Sequence, residues 1–241
     1  MDDFSDNICL AKQSPALTTS LLDLATNIAV QKEFPDLDRC VKNLMGALQG
    51  GDIPLTENSL LSLYTQLHGA GSRYSPREKE QLSKRKGYGC YPGGLSPLIK
   101  AVQFIRPDSV VADLGAGNGL QGLLLQCICP HRKTIQVELS SELIRVGRIF
   151  QHALGIDTDR VAWIHDDIVH VSIEEADFIY LYLPAKPLDG GKEVYEAIAR
   201  TLNRTEKPRV IFSIADCLAG FLGKEFSIFY TDGHLTCFIR K

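Results

Sequence analysis

VVADLGAGNGLQG, residues 110–122, is the stretch from which the fold can be read. Val110, Val111 and Ala112 form a short apolar run without helical spacing, as in a strand buried on both faces. Asp113 closes the run, Gly115, Gly117 and Gly119 then alternate with Ala116 and Asn118, and Leu120 opens an apolar helical pattern that reaches Leu125. A strand that passes through glycines into a helix is the first unit of an open α/β sheet, whose ligands sit beyond the carboxyl ends of the strands. The glycines permit positive φ and let the backbone approach a ligand with no Cβ in between.

Downstream the same alternation recurs. Residues 134–137 (TIQV) lead into a helix from 141 to about 154, residues 161–164 (VAWI) and 178–183 (FIYLYL) follow as strands, and 210–214 (VIFSI) supplies a fifth. Short apolar strands separated by helices imply parallel pairing with crossover connections. The chain ends with two β-rich runs, 226–230 and 235–239, around Thr231-Asp232-Gly233-His234, and Asp-Gly between such runs signals a hairpin. The expected fold is α/β: a Rossmann-like, doubly wound, seven-stranded and mostly parallel sheet with an antiparallel carboxyl-terminal hairpin.

Upstream, apolar residues at helical spacing between 14 and 69 read as three helices, around Leu21 to Ile28, Val41 to Leu48 and Leu60 to Leu67. Thr56-Glu57-Asn58-Ser59 reads as the start of the third, separated from the second by Gly50-Gly51 and Pro54. Residues 73–86 (RYSPREKEQLSKRK) are the most charged of the chain, with Pro76 suited to opening an exposed helix. Residues 87–97 (GYGCYPGGLSP) form a loop by composition, and a short helix resumes over 98–105. We therefore divide the chain into an amino-terminal helical region with a connecting arm, 1–86, and a ligand-binding domain, 87–241. The charged arm lies just ahead of the glycine loop and suits a lid, with Gly87, Gly89, Gly93 and Gly94 as hinges and Tyr91 covering the site.

Charge separates the candidate ligands of the turn. A dinucleotide brings an anionic pyrophosphate to the helix amino terminus, whereas S-adenosylmethionine (SAM) brings a sulfonium and an ammonium. A carboxylate at Asp113 repels the first and attracts the second. After Gly115-x-Gly117, Leu120 stands where a dinucleotide fingerprint requires its third glycine; the overlapping Gly117-x-Gly119-x-x-Gly122 starts too far beyond the strand.

On these residues the sequence resembles the class I, Rossmann-like SAM-dependent methyltransferase superfamily, in an uncharacterised subgroup, over about residues 88–241. The DLGAGNG turn is similar to its first motif, with Asp113, Gly115, Ala116, Gly117 and Gly119 in the matching places. The resemblance implies that Glu138, roughly 20 residues past the turn, holds both ribose hydroxyls, although dinucleotide enzymes place an acid there too. Residues 163–168 (WIHDDI) resemble the strand that ends in a Gly-Asp pair touching the adenine amino group; here Asp166 replaces the glycine. Asp166 or Asp167 would meet that nitrogen, Asp167 being favoured, with Ile168 and Leu139 flanking the ring. Residues 177–184 (DFIYLYLP) would place Tyr180, Tyr182 and Pro184 near the transferred methyl, and Tyr180 and Tyr182 are the candidate catalytic residues. The Asn-Pro-Pro-Tyr type sequence of adenine and glutamine amino-methylating enzymes is absent after that strand.

Each of these residues also has a plainer reading. Asp113, Asp166 and Asp167 can serve their turns alone, Glu138 can cap a helix beside Ser140, and the tyrosines can be core aromatics. Cys127-x-Cys129-x-His131 has poor zinc spacing and no second pair, so no metal is expected.

Composition bounds the rest. Hydrophobic residues make up 44% and charged residues 23% of 241 positions, as in ordinary globular proteins. A net charge of -3 lacks the positive surface that phosphate gripping needs, so a small molecule or protein side chain is favoured over nucleic acid as methyl acceptor. Seven scattered cysteines and an MDDFSDNICL start without an export leader suggest a cytoplasmic setting, in which the Asn203-Arg204-Thr205 triplet carries no glycan. No apolar run approaches the roughly 20 residues of a membrane span. The added amino-terminal helices are expected to shape the substrate site or a homo-oligomer contact. Two rival functions remain: a catalytically inactive SAM- or nucleoside-binding sensor or partner subunit, and a nicotinamide-dependent oxidoreductase.

Overall fold

The computed structural model describes residues 15–69, 73–87, 92–186, 191–214 and 217–241. Among these residues seven strands, β1 (Val110–Leu114), β2 (Lys133–Glu138), β3 (Val161–His165), β4 (Phe178–Tyr182), β5 (Val210–Ile214), β6 (Phe226–Thr231) and β7 (Leu235–Arg240), form one sheet in the order β3-β2-β1-β4-β5-β7-β6. The first five are parallel, and β7 lies antiparallel between β5 and β6, so six strands share one direction. Asp232 makes the last turn: its Oδ1 accepts from the N–H groups of His234 (2.9 Å) and Leu235 (2.7 Å), and Gly233 takes φ +85°. Strand order reverses at β1, which has β2 on one side and β4 on the other, and this opens a crevice above their carboxyl ends.

Among the described residues, four helices precede the charged arm: α1 (Pro15–Thr26), α2 (Ile28–Glu33), α3 (Leu37–Gly50) and α4 (Ile53–His68). Sequence spacing predicts three. Asn27 makes the difference, because its Oδ1 accepts from the N–H groups of Ala29 and Val30 and starts a new helix where the apolar pattern runs on. The helix expected to start near Thr56 begins at Ile53 instead, since the Asp52 carboxylate caps the Leu55 N–H at 2.9 Å with Pro54 in the first turn. Beyond the arm come α5 (Pro76–Lys84), α6 (Ser96–Ala101), α7 (Leu120–Ile128), α8 (Ser141–Ala153) and α9 (Lys192–Arg204).

Each sheet face has its own core. Val110, Ala112, Ile135, Ile179 and Ile211 pack with Val194, Tyr195, Ile198 and Leu202 of α9. On the opposite face, Val111, Phe178, Tyr180 and Phe212 join Leu123 and Leu124 of α7 and Phe150 of α8. Leu17, Leu21 and Leu24 of α1 and Leu60, Leu63 and Leu67 of α4 belong to that same cluster and are fully buried. Burial of each such leucine contributes roughly 1.5–3 kcal/mol, so core packing, not a tether, holds the first helices to the sheet domain. No helix among the described residues is long and apolar enough to cross a membrane.

The charged arm is likewise built in. Ser75 and Glu78 form a reciprocal capping box that starts α5. Glu78, 7% exposed, also accepts from the backbone N–H (3.0 Å) and hydroxyl of Ser141, pinning α5 to the start of α8. Burial pushes its carboxyl up, but the Ser141 and Ser75 donors outweigh that and hold it below the ordinary carboxylate range. At the arm's start Arg73 pairs with Glu33 at 2.7 Å, and at its end Arg85 pairs with Asp167 at 3.2 Å. Glu78→Ala should therefore cost about 1–3 kcal/mol, since it leaves the Ser75 and Ser141 amides without partners. Hydrogen exchange should show α5 amides losing protection ahead of those in α7.

Candidate active site

The apolar β1 ends at Leu114, and the chain then takes left-handed turns at Gly115 (φ +78°), Gly117 (φ +60°) and Gly119 (φ +71°) before α7 starts. Ala116 and Gly115 both donate their N–H to the Val137 carbonyl of β2, at 2.9 and 3.0 Å, which folds the turn over the sheet edge. The Asn118 amide donates to the Leu67 carbonyl at 2.8 Å, tying the turn to the end of α4. A cleft opens beside the turn.

Asp113, Gly115, Ala116, Gly117, Glu138, Leu139, Asp166, Asp167, Ile168, Tyr180 and Tyr182 all line this cleft. Among the residues singled out from sequence, Gly119 stays out of it. A Cβ there would lie 2.3 Å from Trp163 Cη2, so the missing side chain at Gly119 makes room for the indole. Tyr91 and Gly89 lie outside the described residues; of the other hinge candidates, Gly87 and Gly93 are on the cleft wall and Gly94 is not.

Two buried carboxyls dominate the floor. Asp113 is 3% exposed and its Oδ2 has no partner among the described residues. Burial pushes its pKa up to about 7, a hydrogen bond from the Gly122 N–H works against that, and the nearby Glu138 charge adds to it. Glu138, 4% exposed, accepts from the N–H groups of Gly117 and Ser140, each at 2.8 Å. It too is raised to about 7, chiefly by burial, against the hydrogen bonds of Ser140, Gly117 and Leu139. A carboxylate offers about four acceptor sites, so Glu138 keeps capacity for a ligand hydroxyl beyond these backbone donors.

Asp166 and Asp167 stand at the end of β3 with different surroundings. The Asp166 side chain is half exposed and its Oδ1 accepts from the Asp167 N–H at 2.7 Å. Asp167 is more enclosed: Oδ1 accepts from the Val169 N–H at 3.1 Å and Oδ2 from Arg85 Nε. The two tyrosines alternate along β4 and share one face. Tyr180 is 1% exposed and its hydroxyl accepts from Gln121 Nε2 at 2.6 Å. Burial and then the Asp113 charge hold that phenol well above its ordinary pKa, which makes it a hydrogen-bond donor and not a base. Tyr182 is half-buried, its ring edge-on to His234 in the last hairpin.

The amino-terminal half supplies cleft residues that sequence reasoning missed: His68, Tyr74, Leu82 and Arg85. Burial drives the His68 pKa down to about 4, so it is neutral there. Nothing local marks these four as site residues, because only packing brings them over the turn. Gln121 was also missed, though it stands inside the glycine stretch. The Cys129 and His131 side chains make local contacts: Cys129 Sγ meets the Ile105 carbonyl, and the His131 ring bridges the Cys129 carbonyl and the Thr134 hydroxyl at 2.7 Å each.

No protein-family model matches the chain, and a comparison with the curated proteins finds no match. Solved structures do share its fold. TrmN from Thermus thermophilus is 17% identical over 60% of this chain, with a TM-score of 0.50; the aligned part spans 47% of that protein, about half its length. An RNA methyltransferase from Salinibacter ruber, solved with S-adenosyl-L-homocysteine, is 17% identical over 60% of this chain and 86% of its own (TM-score 0.47). A protein of the NADB-Rossmann superfamily from Streptococcus agalactiae is 12% identical over 60% of this chain and 67% of its own (TM-score 0.45). At 17% identity the likeness to TrmN shows a shared fold and nothing further.

Proposed function

We propose that this chain binds SAM in the cleft and transfers its methyl group to an acceptor by in-line displacement. The observation that carries the reading is Asp113: a buried carboxyl whose Oδ2 lacks a partner among the described residues, on a glycine turn at the switch point of the sheet. An unsatisfied buried acceptor costs roughly 1–3 kcal/mol, and a cationic ligand would satisfy it where a pyrophosphate would be repelled. In this reading Asp113 faces the cationic amino acid end and Gly115, Ala116 and Gly117 lie under the chain. Glu138 accepts from the ribose hydroxyls, and Leu139, Asp166, Asp167 and Ile168 bracket the base. SAM supplies a methyl already activated by its sulfonium leaving group.

The protein's task is then to orient the acceptor nucleophile in line with the C–S bond. Tyr180 and Tyr182 form the wall at the end of β4 where the acceptor enters, and neither needs to act as a base; an amine acceptor releases its proton to solvent. Among the described residues Arg85 is the one charged cation of the lining, and it is already paired with Asp167 and Glu193. Such a wall suits a small molecule or a protein side chain better than a phosphate backbone. Residues 87–241 form the transfer domain in this proposal, and 1–86 an addition that shapes one wall of its site.

Calorimetric titration with SAM, S-adenosylhomocysteine and NAD tests the proposal. We expect micromolar binding of the first two and none of NAD; tight NAD binding with no SAM binding would assign the turn to a dinucleotide. Methyl-labelled SAM incubated with cell extract should then mark small-molecule or protein fractions, and label in RNA alone would overturn the acceptor class.

A further inference from the structure

Among the described residues, two that line the cleft leave a buried side-chain oxygen without a partner, Asp113 Oδ2 and Gln121 Oε1. Gln121 stands in the first turn of α7 and is 4% exposed. Its Nε2 donates to the Tyr180 hydroxyl at 2.6 Å and to the Gly94 carbonyl at 3.2 Å. A backbone carbonyl only accepts, so the amide cannot turn over without setting two oxygens against each other. Oε1 is thereby fixed as an open acceptor. Tyr180, which holds it, is the register partner of Asp113 on the adjoining strand, so both side chains rise from the same face of the sheet. Gly93 closes the group from above: a Cβ there would fall 2.6 Å from the Tyr180 hydroxyl oxygen and 3.2 Å from Gln121 Nε2.

One anionic and one neutral acceptor, both buried and both open, suit a compact cation with several N–H donors, and an ammonium carries three. We infer that Asp113 Oδ2 and Gln121 Oε1 together hold the amino group of the cofactor's amino acid tail, with Gln121 as a binding residue and Tyr180 as the positioning residue that orients its amide. The inference rests on the SAM reading and deepens it, giving the cleft a means to select the complete amino acid tail over an adenosyl thioether that lacks the amine.

Calorimetry tests this with S-adenosylhomocysteine and its deaminated analogue, in which hydrogen replaces the amino group. The protein should prefer the amino ligand by roughly tenfold to a hundredfold, the range of hydrogen bonds to a charged group. Gln121→Met, of similar length but without an acceptor, should reduce that preference roughly tenfold and leave the deaminated ligand's affinity unchanged. Gln121→Glu keeps an oxygen at the position and should retain the preference; if the methionine variant does not fold, loss of preference in the glutamate variant overturns the inference. Equal weakening of both ligands in Gln121→Met would make Gln121 a purely structural residue, and an unchanged preference would remove the contact. Either result leaves the cofactor reading standing, whereas failure of the unmodified protein to bind both ligands overturns that reading and this inference with it.

Discussion

Asp113→Asn is expected to weaken SAM binding roughly a hundredfold while making the ligand-free protein more stable at pH 8, because one buried carboxyl controls both properties. Burial holds Asp113 at about 7, above the ordinary 3.8. Between those values the folded chain keeps a proton that the unfolded chain has released. The stability linked to this proton is complete below the ordinary value and is lost as pH rises through the folded one. Asparagine has the same shape and no proton to lose, so the variant should hold its stability at pH 8, gaining about 2–4 °C in Tm for each kcal/mol recovered. In the unmodified protein, binding of the cationic ligand should tighten between pH 6 and pH 8.5 as Asp113 and Glu138 ionise. The asparagine variant should show a shallower rise. A variant that binds SAM as tightly as the unmodified protein, or melts at a lower temperature at pH 8, would remove Asp113 from the site.

The second large effect concerns the glycines. Gly119→Ala and Gly115→Ala look alike in sequence, since both replace a left-handed glycine of one motif, yet they should fail differently. At Gly119 the new Cβ would lie 2.3 Å from Trp163 Cη2, with the backbone at φ +71°. Backbone strain and overpacking together should cost about 2–4 kcal/mol. Gly147→Ala should behave in the same way, as its Cβ would come within 2.2 Å of the same ring atom and 2.7 Å of the Asn118 carbonyl oxygen. At Gly115 the nearest atom is Pro184 Cβ at 3.9 Å, so only the backbone term of about 1–2 kcal/mol applies. There the methyl enters the cleft lining and the main loss should be ligand affinity. Thermal melts paired with SAM titrations separate the two. A Gly119→Ala protein that melts normally but binds no ligand would return Gly119 to the cofactor's contacts.

The contrast shows what local sequence can convey. Alternating glycines after an apolar run announce a turn that needs positive φ, and the structure has such φ values at Gly115, Gly117 and Gly119. Which glycine faces a ligand and which accommodates a distant indole is not a local property. Trp163 enters the slot between Gly119 and Gly147 from β3, and its Nε1 is held by Gln151 Oε1 of α8 at 2.9 Å. Helix counting failed for a related reason: the apolar spacing around Leu21 to Ile28 is continuous, and a single Asn27 cap overrides it.

By itself, the sequence determined the alternation of strands and helices, the Asp232-Gly233 hairpin and the position of the glycine turn, because periodicity and turn chemistry act over a few neighbouring residues. It also placed Asp113, Glu138, Asp166, Asp167 and Tyr182 near strand ends, which in an open α/β sheet share one edge, with Tyr180 two residues earlier on the strand of Tyr182. Tertiary structure alone decided how those residues are charged and enclosed. Burial raises Asp113 and Glu138 to about 7, Arg85 crosses from the arm to Asp167, and His68, Tyr74 and Leu82 complete a wall contributed by residues before the sheet domain. Ionisation depends on desolvation and on charges brought close through space, and both arise only when segments far apart in the chain are packed together.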